Sequence, residues 1–479
     1  MIFYPLLRAI TGMALRWFYR DVTMRHVDRI PQDATPLLLA VNHPNALVDA
    51  LLIGWMLPRR LTITAKATLF ENPVLGWFLH IAGVVPLRRA SDERQRLAIA
   101  AETERMTSTT APERPGRTRN VEAFRAILER LERGGAVLIF PEGKSHDEPA
   151  LAPLRTGPAR IALQAQREGR VRSLAILPIG LVFEQKEAPR SRVLIDVGEP
   201  LDVGQWTTTV GKPAGADMLT EEIDRRLRDV TLNYATADEA ARARGLAKVF
   251  ASLLEDPLSI GADRPLESEV ELERRLAQAR RLLESEHTDQ ALRTRAERFL
   301  DRLDAFEHTL CAERIALDEV AIPVGRRHGA WFALREGVLL AIVGPIALWG
   351  RVNHWLPFRL ARVLGARDMT SRDQPAMRTI LAGLVLVLLF YGLATTIVAQ
   401  VAGGVAATIY LVSLPVTADI DLRFAKRMRQ ARQRMHAYLR FRRNPALRNQ
   451  LSAEHAWLSS EIGELASMLE RNDLRASRG

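Results

Sequence analysis

From Thr379 to Ala399 the chain runs without a single charged side chain. A helix of about 20 apolar residues is long enough to cross a bilayer. Hydrocarbon tolerates no open backbone hydrogen-bonding groups, so such a run folds as a helix in lipid or as a helix deep inside a protein core. After Gln400 comes a second charge-free run, Val401 to Val416, shorter and with Gly403 and Gly404 near its start. Together the two predict a tight helical hairpin over about 379–416. Gly337 to Gly350 is also apolar, but it is short, contains Pro345, and is bounded by Arg335, Glu336 and Arg351. It reads as a re-entrant or interfacial piece rather than a crossing.

Basic residues flank the hairpin on both sides. Arg351, Arg359, Arg362, Arg367, Arg372 and Arg378 precede it, and Arg423, Lys426, Arg427, Arg429, Arg432 and Arg434 follow it. The positive-inside rule places both flanks in the cytoplasm, so an even number of crossings separates them. The expectation is an integral protein of the cytoplasmic (inner) membrane with its bulk on the cytoplasmic side. The formal net charge is +11, which calls for an anionic partner. Because the basic excess lies beside apolar runs, membrane lipid is favoured over nucleic acid, and no nucleic-acid motif is present. Leu422 to Arg443 reads as a basic helix suited to anionic headgroups or as a solvated face. One cysteine, Cys311, excludes an internal disulfide framework and a cysteine-based metal cluster, and no metal site is expected.

The rest divides by pattern. Residues 1–30 contain an apolar stretch, Ile2 to Tyr19, with Arg8 and Arg16 embedded and no cleavage site behind it. A helix lying in the membrane interface with snorkelling arginines fits it; so does an amphipathic helix packed on the following domain. Over 31–215, short apolar runs alternate with helical stretches. Strands are predicted at Pro36–Val41, Leu61–Lys66, Gly83–Leu87, Ala136–Phe140, Ser173–Ile179 and Arg192–Val197, with a helix over Val121–Arg133 capped by Asn120 and stopped by Gly134-Gly135. This is an α/β domain with a mixed, largely parallel sheet flanked by helices. Met106 to Arg119 reads as an exposed loop. Residues 216–330 form a charged helical region in which Glu267–Glu284 and Thr288–Leu310 make a helical hairpin or short coiled coil. Membrane segments occupy 331–420, and a basic helical tail 421–479.

Three stretches of the α/β domain carry chemistry. In the first, the buried run ending at Val41 is followed by Asn42-His43-Pro44-Asn45 and then a helix with Asp49 near its start. A carboxylate there can hold the imidazole in one tautomer and raise its basicity, leaving the other ring nitrogen to take a proton from an alcohol. Asn45 is expected to cap the helix. In the second, Lys66 ends one strand, and Gly83 leads through another to Arg88 and Arg89, residues suited to bidentate phosphate binding. In the third, a buried run ends in Phe140-Pro141-Glu142-Gly143-Lys144-Ser145-His146-Asp147. Glu142 is predicted to accept a substrate hydroxyl, Gly143 to let the backbone approach a ligand, and Lys144 to meet a phosphate. Ser145, His146 and Asp147 are consecutive and cannot face one another as a hydrolase triad.

His43 to Asp49, Gly83 to Arg89, Phe140 to Gly143 and Leu177-Pro178-Ile179-Gly180 occur in the order of four blocks that mark the glycerolipid acyltransferase family, which this chain resembles over about Pro31 to Leu201. It departs from the family pattern twice. Five residues rather than four separate His43 from Asp49, and Lys144-Ser145-His146 stands where Thr-Arg-Ser is usual. Both departures are similar to the branch of fungal glycerol-3-phosphate and dihydroxyacetone-phosphate acyltransferases. The resemblance implies that His43, oriented by Asp49, deprotonates a glycerol hydroxyl. Asn42, Lys66, Arg88 or Arg89, Glu142, Gly143 and Lys144 would bind the acceptor, with the spacing from Gly83 favouring Arg89 for phosphate. Pro178 and Gly180 would shape an acyl groove. It implies acyl-CoA or acyl carrier protein as donor, glycerol-3-phosphate or lysophosphatidic acid as acceptor, membrane lipids as surroundings, and no cofactor. The branch similarity tilts the acceptor toward glycerol-3-phosphate.

Overall fold

The computed structural model describes residues 3–31, 35–57, 59–71, 76–77, 79–80, 83–87, 120–167, 171, 173–186, 188, 190–211, 215–253, 265–284, 288–320, 322–366 and 375–476. Two compact units result: residues 1–237 with 368–380, and residues 238–367 with 381–479. Arg88, Arg89 and the expected loop 106–119 lie outside the described residues.

The apolar runs of the first unit become strands: β2 (Leu37–Val41), β3 (Leu61–Lys66), β4 (Val85–Leu87), β5 (Ala136–Ile139), β6 (Ala175–Phe183) and β7 (Arg192–Val197). Of these, β2, β5 and β7 are buried along their whole length. Two strands escape the sequence pattern. The edge strand β1 (Asp21–Arg25) is polar and only half-buried, and edge strands need no apolar run. The two-residue β8 (Leu201–Asp202) is too short to show a period. The sheet order is β1-β7-β6-β2-β5-β3-β4, with β8 also on β6. β4, β3, β5, β2 and β6 run parallel; β6 and β7 are antiparallel, and β1 follows β7. The fold is the mixed, largely parallel sheet flanked by helices that the alternation predicts.

Helices cover both faces. On one, α1 (Phe3–Phe18) and α2 (Leu47–Met56) pack over Leu37, Leu39, Leu177 and Ile179. Arg8 donates to the Trp55 carbonyl at 2.9 Å, Gly12 lies directly against the Trp55 ring, and Arg16 stands 5.2 Å from the ring centroid. Both arginines of the N-terminal segment are therefore used in docking α1 onto α2. On the other face lie α3 (Asn120–Glu132), α4 (Gly157–Arg167) and, beyond the short α5 (Val203–Val210), α6 (Ala216–Val230). α3 ends at Gly134, whose φ of 69° is open to glycine. In α6, Leu219, Ile223, Leu227 and Val230 form one buried stripe against the sheet. That stripe carries the first unit past residue 215 to Ala237.

The second unit is helical: α7 (Ala237–Leu253), α8 (Leu266–Glu284), α9 (Gln290–Glu313), α10 (Arg326–Ala366), α11 (Pro375–Arg443) and α12 (Pro445–Ala476). The sequence pairs α9 with α8; the structure packs α9 mainly on the C-terminal α12. Phe299, Leu303 and Phe306 meet Leu451 and Leu458 there, and Arg302 bonds Glu454 at 2.7 Å while lying 3.7 Å from the Trp457 ring centroid. Residues 337–350 lie in the interior of the continuous α10.

α11 is two helices meeting at Gly403, whose φ of 85° and ψ of 171° belong to glycine. His354 Nε2 lies 2.6 Å from the Tyr391 hydroxyl, and the Tyr410 hydroxyl donates to Asn353 Oδ1 at 2.5 Å. A straight helix would hold Tyr391 and Tyr410 about 28 Å apart at ~1.5 Å per residue, too far to reach adjacent residues of α10. The chain therefore folds back at Gly403, as the paired glycines predict. The hairpin is not a buried core element: Val401 is 83% and Val405 79% exposed, and Leu388, Leu393 and Ile409 are also exposed. Arg326–Ala361 and Val385–Arg443 both contain stretches long and apolar enough to cross a membrane. A water-facing surface this apolar is unusual, and the two long helices associate the chain with a membrane.

Candidate active site

The parallel strands β2 and β5 are neighbours in register, Ala40 opposite Ile139. Their carboxyl ends therefore release His43 and Phe140 to Gly143 side by side, where open α/β sheets bind ligands. β2 leaves the sheet through Asn42. Its amide donates to the Leu181 carbonyl at 3.1 Å and its Oδ1 accepts from the Leu181 N–H at 2.7 Å, continuing the pairing with β6. The structure thus places Asn42 as a strand anchor.

His43 Nδ1 is 2.9 Å from Asp49 Oδ2, and the same oxygen accepts the Asn45 N–H at 2.8 Å. Asp49 is fully buried and His43 nearly so. Burial pushes the Asp49 carboxyl above its ordinary value, while the His43 bond and charge, the Asn45 amide and the Lys186 ammonium draw it down. With Nδ1–H donating to the carboxylate, Nε2 carries the lone pair, and among the described residues it has no hydrogen-bond partner. The Phe140 ring stacks on the imidazole at 3.8 Å between centroids and 12° between planes.

The fifth residue between His43 and Asp49 is accommodated by Ala46, at φ 48° and ψ −129°. Ala46, not Asn45, is the N-cap of α2 and makes no side-chain cap bond. Asn45 instead turns its amide to the Tyr19 hydroxyl at 3.0 Å and the Lys186 carbonyl at 3.2 Å. Burial, and then the Asp49 charge, push the Tyr19 phenol far above its ordinary value, so it stays neutral.

Glu142 takes a different part from the substrate contact expected of it. Its Oε1 accepts the His43 backbone N–H at 2.7 Å; its Oε2 accepts the Ala152 N–H at 2.9 Å and the His146 Nε2–H. Both oxygens are engaged by the chain itself. His146 Nδ1 accepts the Glu148 N–H at 3.2 Å, which fixes its proton on Nε2, and the His146 N–H reaches the His43 carbonyl at 3.3 Å. The His43 backbone is thus held at both ends by the Glu142–His146 loop. Gly143, at φ 76°, turns the loop, with the Arg155 side chain where a Cβ would point. Lys144 is exposed beside it.

Lys66 ends β3, whose carboxyl end faces the same edge as that of β5. Pro178 and Gly180 lie in the buried part of β6 on the α6 side. A Cβ at Gly180 would stand 2.0 Å from the Val230 carbonyl oxygen, and Pro178 packs against Gly198. Sequence reading missed Lys186, which donates to the Pro44 carbonyl at 2.9 Å and pairs with Asp147. It comes from the turn between β6 and β7, and no local motif marks it. It also missed Phe140 as a ring platform and His146 as the partner of Glu142; the four-residue spacing of that last pair was the available signal.

Residues 21–182 match the family described as Acyltransferase. Glycerol-3-phosphate O-acyltransferase 2 of Saccharomyces cerevisiae is 32% identical over 159 residues, 33% of this chain and 21% of that protein. The chloroplastic 1-acyl-sn-glycerol-3-phosphate acyltransferase BAT2 of Brassica napus is 23% identical over 215 residues, 44% of this chain and 51% of that protein. The crystal structure of a 1-acyl-sn-glycerophosphate acyltransferase from Thermotoga maritima is 18% identical, with a TM-score of 0.34, over 47% of this chain and 78% of that one. The chain thus spans about a fifth of the first of these relatives and about half of the second. The four blocks, the sheet that brings them together and the match over 21–182 agree: this segment is similar to the acyltransferase family, and the relatives it resembles are named as glycerolipid acyltransferases.

Proposed function

We propose that this chain moves a fatty acyl group from an acyl thioester, acyl-CoA or acyl carrier protein, to a hydroxyl of glycerol-3-phosphate. The observation that carries the reading is the His43 ring, held through Nδ1 by buried Asp49 and left with a free Nε2 at the carboxyl end of β2. Nε2 takes the proton as the glycerol oxygen attacks the thioester carbonyl carbon. The carbon–sulfur bond breaks, and the thiolate leaves with the proton returned from Nε2–H. A thiol with a pKa of about 8.5 leaves more readily than an alcohol. Glu142 and His146 keep the His43 backbone in place, and the Phe140 ring keeps the imidazole plane. Lys66, Lys144 and Arg89 are the proposed cations for the acceptor phosphate.

A second acceptor, 1-acylglycerol-3-phosphate, is favoured by the relative from Brassica napus, which bears that name and matches over more of its length. Labelled acyl-CoA offered in parallel with glycerol-3-phosphate, 1-acylglycerol-3-phosphate and lysophosphatidylcholine separates the readings by which acceptor gains label. The hairpin about Gly403 and α10 are proposed to insert in the cytoplasmic membrane, with the acyltransferase domain on the cytoplasmic side, near membrane-borne acceptor and product.

A further inference from the structure

At the base of the apolar helices of the second unit there is a cleft of about 190 Å³. It lies between the start of α10 and the far end of α11, outside the residues that match the acyltransferase family. Ile322, Phe332, Tyr438 and the exposed Met435 line it with apolar surface, beside His328 and Arg434. The Tyr438 ring packs on the Gly329 backbone, where a Cβ would stand 2.4 Å from the Tyr438 hydroxyl.

Two features of the surroundings say what fits here. The first is depth. Trp331, Leu334, Val338 and Leu340 are exposed immediately along α10. Between them, Glu336 binds Arg335 and Arg427, at 2.8 and 2.9 Å, closing off the apolar stretch with an ion cluster. From Glu336 to Gly329 the helix rises about 10 Å at ~1.5 Å per residue, which places the cleft at headgroup level once the apolar helices are in hydrocarbon. The second is charge. Arg326 and Arg327 are exposed at the start of α10, and Arg442 stands 5.9 Å from the Tyr438 ring centroid. Glu319, which feels the Arg434 charge, is itself buried and accepts the Ala316 N–H at 2.9 Å.

We propose that this cleft binds an anionic glycerophospholipid of the membrane, with the phosphate at Arg434 and His328 and the first part of an acyl chain along Phe332, Met435 and Tyr438. Cationic pockets between membrane helices at the cytoplasmic level bind such headgroups, and an aromatic ring at the same level suits the interface. The proposal rests on the membrane insertion put forward above and is independent of the acyl-transfer chemistry at His43.

The test uses the full chain purified in mild detergent. Native mass spectrometry counts the lipids it retains from equal additions of phosphatidylglycerol and phosphatidylcholine, for the wild type, Arg434→Gln and Arg432→Gln. Arg432 is exposed and does not line the cleft. The expectation is preferential retention of phosphatidylglycerol that drops at least several-fold in Arg434→Gln and is unchanged in Arg432→Gln, with circular dichroism the same for all three. Tyr438→Leu, which keeps the lining apolar, should retain the lipid better than Arg434→Gln. Equal retention of the two lipids, or an Arg434→Gln protein that keeps its phosphatidylglycerol, overturns the site. A chain that needs no detergent and does not float with vesicles removes the membrane reading and the site with it; phosphatidylglycerol retained equally by Arg434→Gln in a chain that does float removes the site alone.

Discussion

The Glu142 carboxylate accepts the backbone N–H of His43 at 2.7 Å across 99 residues of sequence. Two blocks to which the sequence gives separate tasks, catalysis and substrate binding, are therefore one mechanical unit. Asp49 orients the ring, and Glu142 with His146 positions the backbone that carries it. Glu142→Gln keeps one accepting oxygen and turns an NH2 toward His146 Nε2–H and the Ala152 N–H. Leaving buried donors without acceptors costs about 1–3 kcal/mol. The turnover number is expected to fall about 10- to 100-fold at nearly unchanged KM for the acceptor, in Glu142→Gln and in His146→Ala, with His146→Gln partly restored. A rise in acceptor KM with unchanged turnover would instead make Glu142 a substrate ligand.

Ala46 holds a left-handed φ that L side chains rarely adopt. Such positions cost of order 1–3 kcal/mol. Ala46→Gly relieves that strain and gives back about 0.4–1 kcal/mol through the greater freedom of the unfolded chain. The net expectation is a variant about 1 kcal/mol more stable with acyl transfer intact, read by thermal unfolding and by the acceptor assay. A less stable Ala46→Gly protein would show that the turn is held without strain.

Gly180 tests whether the fourth block lines an open groove or packs the domain. Its missing Cβ points at the Val230 carbonyl oxygen, 2.0 Å away. Overpacking of this kind costs typically about 1–3 kcal/mol, so Gly180→Ala should lower the unfolding temperature whatever the acyl donor. Unchanged stability with a changed preference for acyl-chain length would place the acyl chain there.

The turn between β6 and β7 should carry an acid-sensitive contact. Arg192, buried at 5% exposure, binds both oxygens of Glu184, at 3.0 and 2.9 Å. Burial alone would raise the Glu184 carboxyl, but the Arg192 bonds and charge, with Arg20 beside it, hold it below the ordinary carboxylate value. A depressed folded value means that the unfolded chain takes up the proton first. The stabilisation is therefore present above the ordinary value of about 4.3 and lost as pH falls through the folded value. Glu184→Gln should lose about 1–3 kcal/mol at neutral pH, and the gap to wild type should close as the pH is lowered toward 3. A gap that stays constant would assign the loss to packing.

Much of this was legible in the sequence, for identifiable reasons. Buried parallel strands are continuous apolar runs, and β2, β5 and β6 appear where such runs stand. Gly403-Gly404 between two charge-free runs marks the fold-back of α11. What was not legible is long-range. Nothing local in Asp21–Arg25 announces β1, which is held as an edge strand by register with β7. Nothing in Lys186 announces its bond to Pro44. The His43 and Asp49 pairing was readable as residue types, but whether a five-residue spacing lets them meet depends on one backbone angle at Ala46. The direction of the Glu142 carboxylate likewise depends on the neighbouring loop, and the block's residues alone do not reveal it.

The most direct measurement is the transfer of labelled acyl groups from acyl-CoA to glycerol-3-phosphate by the purified full chain, compared with His43→Ala and Asp49→Asn. With His43 as the base, His43→Ala loses about 10²- to 10⁴-fold in turnover. Asp49→Asn, which keeps the shape but no longer fixes the tautomer, loses a comparable factor, and both variants unfold like the wild type. A His43→Ala protein that turns over near the wild-type rate would contradict the account.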